Sequence, residues 1–121
     1  MPSFSLITNL SQGKIPVDFL TQASNLIATA LGKPESYVTV RIEADAQMIF
    51  GGSNEPCGTA ELSSIGRLGI EENKVLAKTI GEFLEKQLGL KQNRVYIRFI
   101  DIPRAELGFS GTTFEELLGK K

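Results

Sequence analysis

Val95-Tyr96-Ile97-Arg98-Phe99-Ile100 decides the fold. Its β-branched and aromatic content, and the alternation of Val95, Ile97 and Phe99 with Tyr96, Arg98 and Ile100, are the pattern of a strand with two different faces. At one constant offset it overlays Val38-Thr39-Val40-Arg41-Ile42: Val38 meets Val95, Val40 meets Ile97, Arg41 meets Arg98 and Ile42 meets Phe99. The same offset brings Leu31-Gly32 onto Leu88-Gly89, two places where a helical pattern stops at a glycine. The chain therefore reads as two copies of a strand-helix-strand unit.

Each copy has a helix with an apolar stripe. In the first, Pro16 suits the opening turn, and Phe19, Leu20, Ala23, Leu26, Ile27, Ala30 and Leu31 form the stripe. In the second, Glu71 and Glu72 occupy the first turn, and Leu76, Ile80, Phe83, Leu84 and Leu88 repeat at helical spacing. The remaining strands are Ser3 to Thr8, Tyr37 to Ala44 and, more weakly, the serine-rich Ala60 to Ile65. Ser11 to Lys14 and Met48 to Pro56 read as loops, the second as an irregular surface crossing. Strand-helix-strand units pair their strands in parallel and cross over right-handed, so two copies predict an α+β fold: a four-stranded mixed sheet with both helices on one face. The opposite face, carrying Tyr96, Arg98 and Ile100, is part apolar and uncovered within its own chain, which predicts an oligomer.

Composition narrows the chemistry. The 121 residues fit one domain, and 41% hydrophobic with 22% charged residues is an ordinary globular balance. Thirteen basic residues against 14 acidic ones give a net charge of −1, with no basic stripe, so a nucleic-acid partner is not expected. There is no histidine and one cysteine, Cys57, which excludes a Ser-His-Asp triad, a Cys-His pair, an internal disulfide and the usual zinc sites. No apolar run approaches a membrane span and no export signal is visible, so the expectation is a cytoplasmic protein with no membrane partner.

A different base must then be sought, and Met1-Pro2 offers one. Once Met1 is removed, as a compact Pro2 permits, the chain begins with a secondary amine at the end of a strand. An ordinary α-amine titrates at about 7.7–8.0, and apolar burial lowers that value towards neutrality, where general acid–base catalysis is most effective. Read alone, a proline at position two is equally a tolerated chain end. Lys33, just past a helix end, is equally a cation that satisfies the helix dipole.

Several separated motifs sharpen this reading: Met1-Pro2, Gly32-Lys33-Pro34, Phe50-Gly51-Gly52-Ser53, Glu55-Pro56-Cys57, Ser63-Ser64-Ile65-Gly66, Arg94-Val95-Tyr96-Ile97, and Gly108 with Thr113-Phe114. With this spacing the chain, from Met1 to about Phe114, resembles the macrophage migration inhibitory factor family of the tautomerase superfamily. The resemblance implies a domain over residues 1–114 followed by a C-terminal tail, 115–121. It also implies a homotrimer whose sheets wrap into a barrel with active sites at the subunit boundaries. The implied activity is cofactor-free keto–enol tautomerisation of small 2-keto acids, with phenylpyruvate and dopachrome-like compounds as customary substrates and no metal.

Carried over, Pro2 shuttles the proton, Lys33 holds the substrate carboxylate, the Ile65 backbone N–H helps position it, and Tyr96 of a neighbouring chain walls the pocket. The chain departs from the family pattern in four places. Cys57-Gly58-Thr59-Ala60 lacks the second sulfur of a frequent Cys-x-x-Cys, so no thiol–disulfide activity is assigned. Arg98 stands where asparagine is frequent and adds a cation near the pocket. Phe109 stands where tryptophan is common and keeps an aromatic wall without the indole donor. Gln12 replaces an arginine that, with an acid equivalent to Asp45, is linked to receptor binding in animal cytokines. A leaderless secreted cytokine with incidental tautomerase activity is the alternative. In the tail, Leu117 and Leu118 pack on a neighbour or the segment is disordered, and Lys120-Lys121 is a frayed end.

Overall fold

In the computed structural model, which describes residues 1–119, strand β1 (Ser3–Thr8) leads to helix α1 (Phe19–Leu31), strand β2 (Thr39–Glu43), strand β3 (Gly58–Ser64), helix α2 (Ile70–Leu88) and strand β4 (Val95–Asp101). The sheet order is β2-β1-β3-β4. β1 pairs parallel with β2, and β3 with β4, as each strand-helix-strand copy requires. The copies join through an antiparallel β1–β3 ladder, which makes the sheet mixed.

The periodicities explain which surfaces are buried. Phe19, Ala23, Ile27 and Leu31 fall four apart on α1, and Leu76, Ile80 and Leu84 do the same on α2; all are buried. They pack in one cluster with Phe4, Leu6, Ala60 and Leu62 of the sheet, with Val95, Ile97 and Phe99 at its edge, so both helices cover a single face. Each large side chain removed from water here contributes about 1.5–3 kcal/mol.

Several boundaries differ from the sequence reading; β3 runs over Gly58–Ser64 rather than Ala60 to Ile65, and β2 ends at Glu43 rather than Ala44. α1 begins at Phe19, since Pro16 instead accepts from the Phe19 N–H in a preceding turn. β2 begins at Thr39, because Pro34 starts a 3-10 turn, Glu35–Tyr37, in which Tyr37 N–H donates to Pro34 and Val38 N–H to Glu35. The Ser11 to Lys14 loop also holds a 3-10 turn, Gln12–Lys14.

The uncovered face is more polar than expected. Beside Ile7, Tyr96 and Ile100 it carries serine, threonine and charged residues, with Arg41, Ser5, Glu61 and Arg98 in register as one row across all four strands. Arg98 lies 3.9 Å from Glu61, an exposed pair of small energetic weight. After β4 a short hairpin, β5 (Gly108–Phe109) and β6 (Thr112–Thr113), leads into helix α3 (Phe114–Gly119), so Leu117 and Leu118 are helical. Lys120 and Lys121, expected to fray, lie outside the described residues.

Candidate active site

Pro2 is fully buried at the entrance to β1, and its carbonyl accepts from the Thr39 N–H at 3.1 Å, which pins the start of the chain to β2. It lines a pocket of about 320 Å³ with Tyr37, Ser63, Ile102, Phe109 and Phe114. Three of these form an aromatic wall. Phe109 and Phe114 stack at 5.4 Å and 12°, and Tyr37 meets both edge-on, at 5.7 and 6.2 Å. Such a wall suits a flat, largely apolar ligand body. It is assembled from a 3-10 turn, the β5–β6 hairpin and the start of α3.

Lys33 is placed by the end of α1. Gly32 takes the left-handed conformation (φ 64°) that closes the helix, and the Lys33 N–H donates to the Ala28 carbonyl at 3.0 Å. The Lys33 Nζ donates to the Ile65 carbonyl at 2.8 Å, joining the Gly32-Lys33-Pro34 motif to the turn after β3. Burial lowers the Lys33 pKa, the Arg67 cation lowers it further, and Asp101 opposes both. Next to it lies the terminal amine. The Met1 ammonium is pulled from its ordinary 8.0 to about 6, first by burial and second by the positive Lys33. An amine at this spot is thus a base ready at neutral pH.

Of the residues named from the sequence, the structure joins Pro2 to Phe109 in one pocket and Lys33 to Ile65 by a hydrogen bond. Tyr96 and Arg98 lie elsewhere in the same chain. Tyr96 pairs with Thr59, which pairs with Ile7, five residues along β1 from Pro2. At about 3.3 Å per residue this separates Tyr96 from Pro2 by roughly 16 Å along the strand direction. Tyr96 is 70% exposed on the uncovered face. Tyr37 and Ile102 were not singled out as site residues from the sequence; Ser63 and Phe114 were quoted in motifs without a site role. A larger groove of about 550 Å³ between α1 and α2 contains Arg67 and Glu72 but neither Pro2 nor Lys33. Among the described residues, no three His, Cys, Asp or Glu side chains gather as a metal ligand set would.

Comparison with known proteins identifies the family. The family described as Macrophage migration inhibitory factor (MIF) matches residues 1–115. A Macrophage migration inhibitory factor homolog of Brugia malayi is 43% identical over 114 residues, covering 94% of this chain and 99% of its own. The Macrophage migration inhibitory factor of Xenopus tropicalis is 40% identical over 114 residues, with the same two coverages. The solved structure of the Macrophage Migration Inhibitory Factor from Trichinella spiralis superposes with a TM-score of 0.90 at 38% identity, covering 92% of this chain and 98% of that one. The strand-helix-strand duplication, the proline at the mouth of an aromatic pocket and near full-length similarity lead to one assignment: the chain belongs to the macrophage migration inhibitory factor family.

Proposed function

We propose that this protein is a cofactor-independent keto–enol tautomerase of small 2-keto acids, with the Pro2 imino nitrogen as general base and acid after Met1 is removed. One observation carries the reading: Pro2 is buried in an aromatic pocket, one residue from a terminal amine that burial and Lys33 pull below its ordinary value. The same two causes are expected to lower a Pro2 amine once Met1 is gone.

The chemistry follows. The neutral Pro2 nitrogen takes the proton alpha to the ketone, the carbonyl oxygen gains enolate charge, and the resulting Pro2 ammonium delivers the proton to that oxygen, leaving the enol and the neutral amine; ketonisation is the reverse. Lys33 draws the substrate carboxylate, and the Ile65 N–H assists in orienting it, so the acidic C–H is held against the base. Tyr37, Phe109 and Phe114 receive the apolar body of phenylpyruvate or a dopachrome-like compound. Tyr96 and Arg98 complete the pocket from a neighbouring protomer in a trimeric barrel, which explains why a 70% exposed tyrosine stands on an uncovered sheet. Arg98 then adds a second cation for a dianionic or carboxylate-rich substrate.

Ketonisation of enol-phenylpyruvate, followed for the processed protein and for Pro2→Gly, tests this. The expected result is a drop of about 10²-fold or more in kcat/KM for the variant; equal rates remove Pro2 as the base. The names of the relatives, which speak of inhibiting macrophage migration, favour a second reading as an extracellular signalling ligand. Here Gln12 N–H donates to Asp45 Oδ2 at 3.2 Å, marking the surface to alter. Receptor binding that survives Pro2→Gly and is lost on Asp45→Ala supports that reading, and absence of binding by the wild type dismisses it.

A further inference from the structure

Arg94 makes more hydrogen bonds than any other side chain described, and every one goes to the backbone of a single loop. Its Nη1 donates to the Phe50 carbonyl at 2.7 Å, Nη2 to Glu55 at 2.8 Å and Ser53 at 3.2 Å, and Nε to Pro56 at 3.2 Å. Its guanidinium also lies 5.2 Å from the centre of the Phe50 ring. The loop it clasps turns at Gly51 and Gly52, both at positive φ, and is pinched by the Phe50–Ser53 bridge. A lysine offers three donors around a point charge and could not serve four carbonyls spread through a turn.

This clasp has a product. Phe50 is held with its ring centre 4.9 Å from that of Tyr96, tilted by 35°. Tyr96 is 70% exposed, its hydroxyl has no hydrogen-bond partner among the described residues, and Phe50 is the aromatic ring it meets. Phe50 is therefore the aromatic contact that limits the directions the Tyr96 ring can take.

We infer that Phe50, held in place by Arg94, is a positioning residue that presents Tyr96 in the orientation needed to wall the neighbouring protomer's pocket. The inference rests on the reading above that Tyr96 enters that pocket. Neither residue touches substrate; both act through the tyrosine ring, by removing rotamers that it would otherwise have to surrender when substrate binds. The strand that carries Tyr96 and the loop that aims it are thus fixed to each other by one cation.

A double-mutant cycle on the Met1-free protein tests this, with KM and kcat for enol-phenylpyruvate and the oligomer mass measured for each variant. Phe50→Leu is expected to raise KM about five-fold with kcat nearly unchanged, the range of one aromatic pair. Phe50→Tyr, which keeps the ring, is expected to restore the wild-type KM. In a Tyr96→Ala background, Phe50→Leu is expected to have no further effect. A penalty of the same size in that background, or a wild-type KM for Phe50→Leu while Tyr96→Ala is impaired, overturns the inference. Tyr96→Ala with wild-type kinetics would instead overturn the placement of Tyr96 in the site. If Phe50→Leu does not assemble, Arg94→Lys enters the same cycle with the same expectations.

Discussion

Pro2 and Tyr96 occupy opposite ends of one sheet, and they differ in how finished their surroundings are. Around Pro2 a single chain supplies burial, a cation and three aromatic side chains. Around Tyr96 it supplies one aromatic neighbour and leaves the residue 70% exposed. On the proposed function the base would be tuned within each protomer, whereas the far wall of the pocket would depend on assembly. Disturbances at the two ends should accordingly fail in different ways, the first in proton transfer and the second in binding.

The largest expected effect breaks the Pro2 end outright. Protein with Met1 retained has an amide at the Pro2 nitrogen, with no basic lone pair, and should lose about 10³-fold or more in ketonisation. Intact-mass measurement paired with the assay on processed and unprocessed fractions checks this; equal activity in both denies the base. Next, Lys33→Ala should raise KM by ~10–100-fold by removing a charge-assisted contact to the carboxylate. A substrate analogue lacking the carboxylate should show little of that loss.

A pH profile sharpens the same end. The base must be unprotonated, so kcat/KM should fall as pH drops through the amine pKa. Because burial and the Lys33 cation lower the Met1 amine, the same causes should lower a Pro2 amine, so the acid limb should lie below the ordinary α-amine value of about 8. Because the Lys33 cation contributes to that lowering, Lys33→Ala should move the limb to higher pH, but only partly back, since burial is the larger cause. A limb unmoved near 8 in the parent protein would show that the pocket does not tune its base.

At the Tyr96 end, Tyr96→Ala should raise KM by about ten-fold with kcat little changed, and dilution below the assembly range should reproduce that rise in the parent protein. Full activity in a lone protomer would show the pocket to be complete without a partner. The smallest effect expected is Phe109→Leu, about two- to five-fold in KM for a phenyl-bearing substrate and near unity for one with a small alkyl group.

Much of the fold was legible because its signals are periodic. Leu76, Ile80 and Leu84 on α2, and Val95, Ile97 and Phe99 on β4, announce both an element and the side it buries. The duplication added which elements pair. The starts of α1 and β2 were misplaced because proline at positions 16 and 34 supports a short turn as readily as a helix or strand start. In the site, Pro2 could be argued from chemistry, but Lys33 and Ile65 rested on resemblance, since their meeting depends on a long-range hydrogen bond. Ile102 comes from a non-periodic segment and gave no pattern, and Tyr37 was read as the start of a strand rather than as part of the 3-10 turn that brings it to the pocket. The Arg94 clasp was silent for another reason: its acceptors are backbone carbonyls, which any residue supplies.

Phe114, which opens α3, stacks on Phe109 and closes the cavity that Pro2 opens. Pro2 lies early in the chain and Phe114 late, so this pocket cannot close over Pro2 until synthesis has passed residue 114. On the proposed function, removal of Met1 would fall in the interval before that closure. The order of translation itself would then set the order of maturation.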